Sequence, residues 1–322
     1  MPNASPTVSR SVTACSQPVA ELALLADALV RATPLMLAGL AVALAFRGGV
    51  FNIGAEGQLL VGAAASTAVT LALGEALGAC VMFAAALSGA AAGALWAMIA
   101  AELKRRFRVL EIISTIMLNF IAIHLVSYLV RGPLQEPTRV FPQTESIPIA
   151  ARLPVILPDT RLHLGFAIAV VLALALGWLL NRTAWGFRVR ASGIAPRAAW
   201  SAGRVNVGKT SFMVFVMSGA LAGLAGSIEV SGVTFALYEN LSPGYGYTAI
   251  AVALIAALNP VGVIASGIFF GVLQTGAIAL QREFAIPSSL ASVAEATLIL
   301  AVLLFAAQRG RTVFSFTRPT AP

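Results

Sequence analysis

A chain of 322 residues that is 59% hydrophobic and 11% charged, with a mean hydropathy of +0.89, has the composition of a membrane protein rather than of a water-soluble domain. Its net charge of +8 would suit nucleic acid, but the basic residues fall in separate clusters between long apolar runs, so they report membrane topology and no nucleic-acid partner is expected. The two cysteines make no disulfide framework, and no set of side chains has metal-ligand spacing or the arrangement of a hydrolytic centre, so neither a metal, a cofactor nor a catalytic residue is expected.

Residues 1–30 read as a polar N-terminus without the features of a signal peptide, followed by a short amphipathic segment. Residues 20–31 carry Glu21, Asp27 and Arg31, which predicts an interfacial helix. From 31 to 308 the apolar runs predict spans at 32–47, 57–75, 79–100, 111–130, 164–181, 210–231, 244–258, 260–281 and 289–307. The fold class expected is therefore all-α, a polytopic integral membrane protein with about nine transmembrane helices, some broken or re-entrant. The run at 244–258 is too short to cross a ~30 Å hydrocarbon core, and Asn259-Pro260 fits a tight turn ahead of the next helix. Lys104, Arg105, Arg106 and Arg108 form one basic cluster, and Arg182, Arg188, Arg190, Arg197, Arg204 and Lys209 a second. Arg309, Arg311 and Arg318 form the third, in the tail 309–322. The positive-inside rule puts all three, and the C-terminus, in the cytoplasm, beside anionic inner-leaflet lipid; the charge-balanced stretch 131–163 then lies outside.

The most informative local feature is RGGVFNIGAEGQLLVG at 47–62, a glycine-broken polar stretch between two apolar runs. A free backbone group or carboxylate facing hydrocarbon costs several kcal/mol, so Asn52, Glu56 and Gln58 should line an interior route or brace a broken helix. Glu111, Thr115 and Asn119 fall at i, i+4 and i+8 and share one helix face; lining a polar route and interhelical hydrogen bonding both explain Thr115 and Asn119. Gln274, Glu229 and Glu295 are further polar residues in apolar runs. The two acids lie nearer the external ends, where interfacial solvation, cargo or a docked partner would account for them. Small-residue pairs at four-residue spacing (Gly89 and Gly93, Gly219 and Gly223, Gly267 and Gly271) fit close helix packing within the chain or between subunits. Gly203 to Thr210 matches the phosphate-loop pattern G-x-x-x-x-G-K-T, but it runs from a basic segment into an apolar span rather than from a strand, so nucleotide binding is not expected there.

TPLMLAGLAVALAFRGGVFNIGAEGQLLVGA resembles the signature of permease subunits of bacterial ABC importers for nucleosides and simple sugars, within the superfamily that includes branched-chain amino-acid permeases. The motifs VLEIISTIMLNFIA, RLHLG, GFRVRASGIAPRAAWSAGRVNV, SGALAGLAGSIE and GYTAIAVALIAALNPVGV follow in order, so the resemblance covers roughly residues 30–308. It implies a non-enzymatic permease of the bacterial inner membrane that works with a cytoplasmic ABC ATPase, with a second related permease or a second copy of itself, and with an extracytoplasmic substrate-binding protein or lipoprotein. It also implies that the loop 182–209 seats on the ATPase through Arg190, Gly193, Arg197, Ala198, Ala199 and Gly203. Ala198, Ala199 and Gly203 match the core of the docking motif, whereas Arg197 stands where many ABC permeases have glutamate. Asn52, Glu56, Gln58, Thr115, Asn119 and Gln274 are the residues expected to line or shape the translocation route. A stand-alone ion-coupled secondary transporter or channel is the alternative from a different class, although mid-membrane acids and histidines are sparse. A branched-chain amino-acid ABC permease is the alternative within the superfamily.

Overall fold

The computed structural model describes residues 6–201 and 205–284, and positions 293, 296, 297, 300, 301 and 304. Most of the predicted last span, the tail 309–322, Gly203, Arg204 and Glu295 lie outside the described residues. Among the described residues the chain is a sequence of ten α-helices: α1 (Pro6–Arg47), α2 (Ala55–Leu77), α3 (Val81–Phe107), α4 (Glu111–Arg131), α5 (Leu164–Arg182), α6 (Ala184–Ile194), α7 (Pro196–Ser201), α8 (Val207–Glu229), α9 (Tyr245–Ile255) and α10 (Pro260–Phe284). Two isolated β-bridges are the whole of the extended pairing among those residues.

Seven of these helices are long and apolar enough to cross a membrane, so the chain is an all-α multi-pass membrane protein. One feature differs from the sequence expectation. Residues 20–31 are not a separate interfacial helix; they continue into 32–47 as one helix, and the candidate span begins at Leu22. Asp27 and Arg31, one turn apart, face a polar cavity, so these charges do not force the helix to stop at the interface. As expected of a run too short to cross, 244–258 yields the 11-residue α9, about 16 Å of helix, entered by an irregular segment that turns at Gly244 and left through a turn at 256–258.

α1 is the central post. Leu35, Met36, Leu37, Leu40 and Leu44 are wholly buried against α8, α9, α10 and α5. The outer helices α3, α4, α5 and α10 instead expose Phe83, Leu87, Phe120, Trp178 and Phe269, a belt of large apolar side chains suited to lipid. Inside, α2, α3 and α8 pack backbone against backbone. A Cβ on Gly223 would fall 2.2 Å from the Gly89 carbonyl oxygen, and one on Gly93 would fall 2.3 Å from that of Gly219. On α10, a Cβ on Gly267 would meet Met36 at 2.4 Å and one on Gly271 would meet the Ala28 carbonyl oxygen at 2.3 Å. All three small-residue pairs are thus used within the chain, where the missing side chains let dispersion contacts form between main chains.

On the face carrying residues 132–163, that segment is tied to the stretch after α8. Thr144 N–H donates to the Leu237 carbonyl (2.8 Å), Ile147 N–H to Phe235 (2.8 Å) and Leu153 N–H to Ser231 (2.9 Å). Arg131 grips Glu239 through both carboxylate oxygens (2.7 Å each), and together with Ser127 it holds that carboxyl down at about 2.

Candidate functional site

Between α1 and α2 the chain is non-helical from Gly48 to Gly54, and Val50, Asn52 and Gly54 are buried. Buried irregular backbone at membrane depth requires side chains to take up its hydrogen bonds, and α4 supplies them. Glu111 accepts from Phe51 N–H (3.3 Å) while its other oxygen pairs with Lys104 (2.8 Å). Thr115 packs beside Gly54, its hydroxyl donating back to the Glu111 carbonyl (2.7 Å). Asn119 reaches furthest in: its Oδ1 accepts from Gly57 N–H (2.9 Å), and its Nδ2 donates to the Ile53 carbonyl (3.0 Å) and to the Tyr247 hydroxyl (3.3 Å). The face that spacing assigned to Glu111, Thr115 and Asn119 is therefore the face turned to the broken segment.

Asn52 and Gln58 form a reciprocal amide pair, Nδ2 to Oε1 at 2.9 Å and Nε2 to Oδ1 at 3.0 Å. Asn52 also donates to Ser218 Oγ (2.8 Å) and accepts from Gly54 N–H (2.9 Å), and the Ser218 hydroxyl donates to the Ala41 carbonyl (2.7 Å). These contacts join the break to α8 and to the centre of α1. Glu56, 3% exposed, completes the node from the other side: its Oε2 accepts from the Gly246 amide at 2.6 Å, and the Ser242 hydroxyl also bonds to its side chain. Gly246 is the second residue of α9, and a Cβ there would sit 2.2 Å from the Glu56 nitrogen. The N-termini of α2 and α9 thus abut, with one carboxylate facing the positive end of the α9 dipole. Ser242 Oγ accepts from Gly244 and Tyr245 N–H (3.2 and 3.0 Å), capping the remaining first-turn amides. Gly244 at φ +98° makes the entry turn, a backbone conformation that favours glycine.

Of the residues expected at the route, Asn52, Glu56, Gln58, Thr115 and Asn119 come together in this buried node. Gln274 does not. It is partly exposed on α10, one turn beyond Gly271, which packs on Ala28 and Ala32, more than two helical turns along α1 from Ala41. Ser218, Gly246 and Tyr247 belong to the node but are not among the residues expected at the route; they open the motifs SGALAGLAGSIE and GYTAIAVALIAALNPVGV, and as small or aromatic residues in apolar runs they give no local sign of a polar partner.

The segment 184–201 folds into α6 and α7. Thr183 Oγ1 caps α6 by accepting from Gly186 N–H (3.1 Å), and Pro196 opens α7. Gly193, near the end of α6, lies directly on the turn that starts the break: a Cβ there would fall 2.1 Å from the Arg47 carbonyl oxygen and 3.0 Å from the Gly49 nitrogen. Gly49 takes φ +73° in that turn. Arg190 is the charged neighbour of Arg47, and one guanidinium nitrogen of each is buried without a hydrogen-bond partner among the described residues. Beyond this contact α7 is presented outward. Arg197 and Ala198 are exposed, Trp200 and Ile194 strongly so, and Ala199 is turned inward. The phosphate-loop-like stretch opens α8 with Asn206 Oδ1 accepting from Lys209 N–H (2.9 Å), and no strand precedes it among the described residues, so the amide a phosphate would need is already capped.

A family model described as "Branched-chain amino acid transport system / permease component" matches residues 24–307. A glucose ABC transporter permease protein of Haloferax volcanii is 39% identical over 288 residues, covering 86% of this chain and 75% of that one. A guanosine ABC transporter permease protein of Bacillus subtilis is 39% identical over 275 residues, covering 84% and 78%. A second guanosine ABC transporter permease protein of the same organism is 30% identical over 257 residues, covering 77% and 79%. No solved structure matches the chain.

Proposed function

The chain belongs to this family of transport permeases, and we propose that it forms part of the membrane pathway of an ABC importer for nucleosides or simple sugars. The observation that carries the reading is similarity over 84–86% of this chain to permeases named for glucose and for guanosine. Both cargoes are uncharged and rich in hydrogen-bonding groups, and the polar groups of the node are mostly neutral amides and hydroxyls. ATP is hydrolysed on a separate cytoplasmic ATPase, and an extracytoplasmic binding protein or lipoprotein delivers cargo. The pore is completed by a second permease; two guanosine permease proteins of one organism resemble this chain, which favours a related partner over a second copy. The membrane is the cytoplasmic membrane, with the basic segments and the C-terminus inside and residues 132–163 outside.

In this reading the segment 182–209, with α6 and α7, seats on the ATPase, and Arg190, Gly193, Arg197, Ala198, Ala199 and Gly203 are its coupling residues. Its motion reaches the transport route by a short mechanical chain: α6 bears on the Arg47–Gly49 turn through Gly193, the turn leads into the break, and the break is locked to α4, α8 and α9 through Asn119, Asn52 and Glu56. The node residues shape the route by holding two helix ends in one rigid unit, because their hydrogen-bonding groups are already engaged with one another. Alternating access is then a shift between two packings of that unit, biased by the ATPase. Competition assays test the cargo class. In cells carrying the complete importer, unlabelled nucleosides or glucose should suppress uptake of labelled guanosine or glucose; if no nucleoside or simple sugar is taken up or competes, the reading fails.

A further inference from the structure

A cavity of about 330 Å³ opens where α1, α8 and the segment before α9 meet, at the lower end of the ~300–1,000 Å³ usual for small-molecule sites. Its walls carry Asp27 and Arg31 from α1, Arg161 from the segment before α5, Glu229 from the end of α8, and Tyr238 and Tyr245. Two carboxylates and two guanidiniums therefore surround one space, yet none of the four makes a direct ion pair with another among the described residues. They are arranged around the cavity and are not spent on each other. Glu229 is 3% exposed, is hydrogen-bonded by the Tyr245 hydroxyl and feels the charges of Arg31 and Arg161, so it is a buried acceptor held in one place. Immediately after Glu229 the helix widens into a π turn, Val230–Thr234, which brings Val233 and Thr234 into the wall; π turns inside α-helices concentrate at functional sites.

We infer that this cavity is a cargo subsite for an uncharged, polyhydroxylated ring. The inference deepens the importer reading and rests on it. Acidic and basic side chains both line the space, so a ligand carrying a net charge would meet a group of its own sign, whereas hydroxyls can donate to the carboxyl oxygens and accept from the guanidiniums. Tyr238, 37% exposed, offers the ring face on which a sugar or base can lie. The subsite is also joined to the node. Tyr245 opens α9, and the next residue, Gly246, donates to Glu56, so cargo engaging Tyr245 bears on the same helix end that the ATPase side reaches through Gly193.

The test uses cells carrying the complete importer and labelled guanosine and labelled glucose as probes, with the amount of inserted permease measured alongside uptake. Glu229→Gln should lower uptake of the transported probe at least tenfold at limiting concentration, and Arg161→Gln and Tyr238→Ala at least threefold. The last two change exposed positions and keep the test decisive if Glu229→Gln fails to fold. In a background with Cys15→Ser and Cys80→Ser, Tyr238→Cys should react with a membrane-impermeant maleimide added outside, and the transported probe should slow that reaction. Normal uptake by Arg161→Gln and Tyr238→Ala at normal insertion, with labelling indifferent to cargo, overturns the subsite while leaving the importer reading intact. If the unmodified importer takes up neither probe, the substrate reading fails and the subsite fails with it.

Discussion

Replacing Asn52 by leucine keeps much of the side-chain volume and removes every polar atom at the centre of the node. Asn52 makes four buried hydrogen bonds, two with Gln58 and one each with Ser218 and Gly54. Ser218 keeps its bond to the Ala41 carbonyl, but the Gly54 amide and both ends of the Gln58 amide lose a partner where no water reaches. Each buried group left unpaired costs about 1–3 kcal/mol, so Asn52→Leu should destabilise the protein by roughly 3–6 kcal/mol after partial relaxation. Gln58→Leu should cost less, about 1–3 kcal/mol, because Asn52 keeps Ser218 and Gly54 as partners and strands only one N–H. The double variant should cost about 2 kcal/mol less than the sum, because the Gln58 amide that Asn52→Leu strands is then absent. Reversible unfolding of the purified chain in mixed micelles, followed by helical circular dichroism, measures all three. A loss below about 0.5 kcal/mol for Asn52→Leu, or strict additivity, would refute the claim that this pair holds the break.

Other consequences are as direct. Gly193→Val places a side chain into the Arg47 carbonyl and should leave insertion normal while uptake falls at least tenfold and ATP hydrolysis by the assembled importer continues; wild-type uptake would remove Gly193 from the coupling path. Gly223→Ala should destabilise by roughly 1–3 kcal/mol or more through overpacking against Gly89, whereas Gly276→Ala, whose Cβ meets nothing within 4 Å, should be neutral; thermal unfolding compares the two. His163 is buried, its Nδ1 accepting from Gly165 N–H (3.2 Å), and burial together with the nearby Arg161 charge lowers it from 6.5 to about 4. Folding therefore favours the neutral ring: its contribution is intact above 6.5 and shrinks as pH falls from 6.5 towards 4, reaching about 2 kcal/mol lost at pH 5. The drop in unfolding free energy between pH 7.5 and 5 should be about 2 kcal/mol larger for the unmodified chain than for His163→Gln, and equal drops would contradict the buried neutral assignment.

Much of this architecture can be read from the chain because membrane helices obey strong local rules. Apolar run length locates α2 to α5, α8 and α10, and the glycines and Asn52 between two such runs mark the break, since hydrocarbon tolerates neither free amides nor Asn side chains. The 100° rotation per residue puts Glu111, Thr115 and Asn119 on one face, and it is the face that meets the break. What the chain alone withholds is the partner across space. Gly246 and Ser218 are separated from Glu56 and Asn52 by 190 and 166 residues, and the motifs they open do not say which residues they meet. The continuity of the first helix is hidden for a related reason: Asp27 and Arg31 suggest an interface, and only the cavity they face, lined also by Arg161, Glu229 and Tyr238, shows why charged residues sit within one continuous helix.

Cargo movement driven by a separate ATPase can be read from uptake of labelled nucleosides and simple sugars in cells lacking this chain. The chain is then restored together with its ATPase in active or hydrolysis-dead form. Loss of uptake on deletion, with rescue only by the active ATPase, is the predicted result. Rescue by the hydrolysis-dead form, with uptake abolished by an uncoupler, would contradict the account and make the chain an ion-driven carrier.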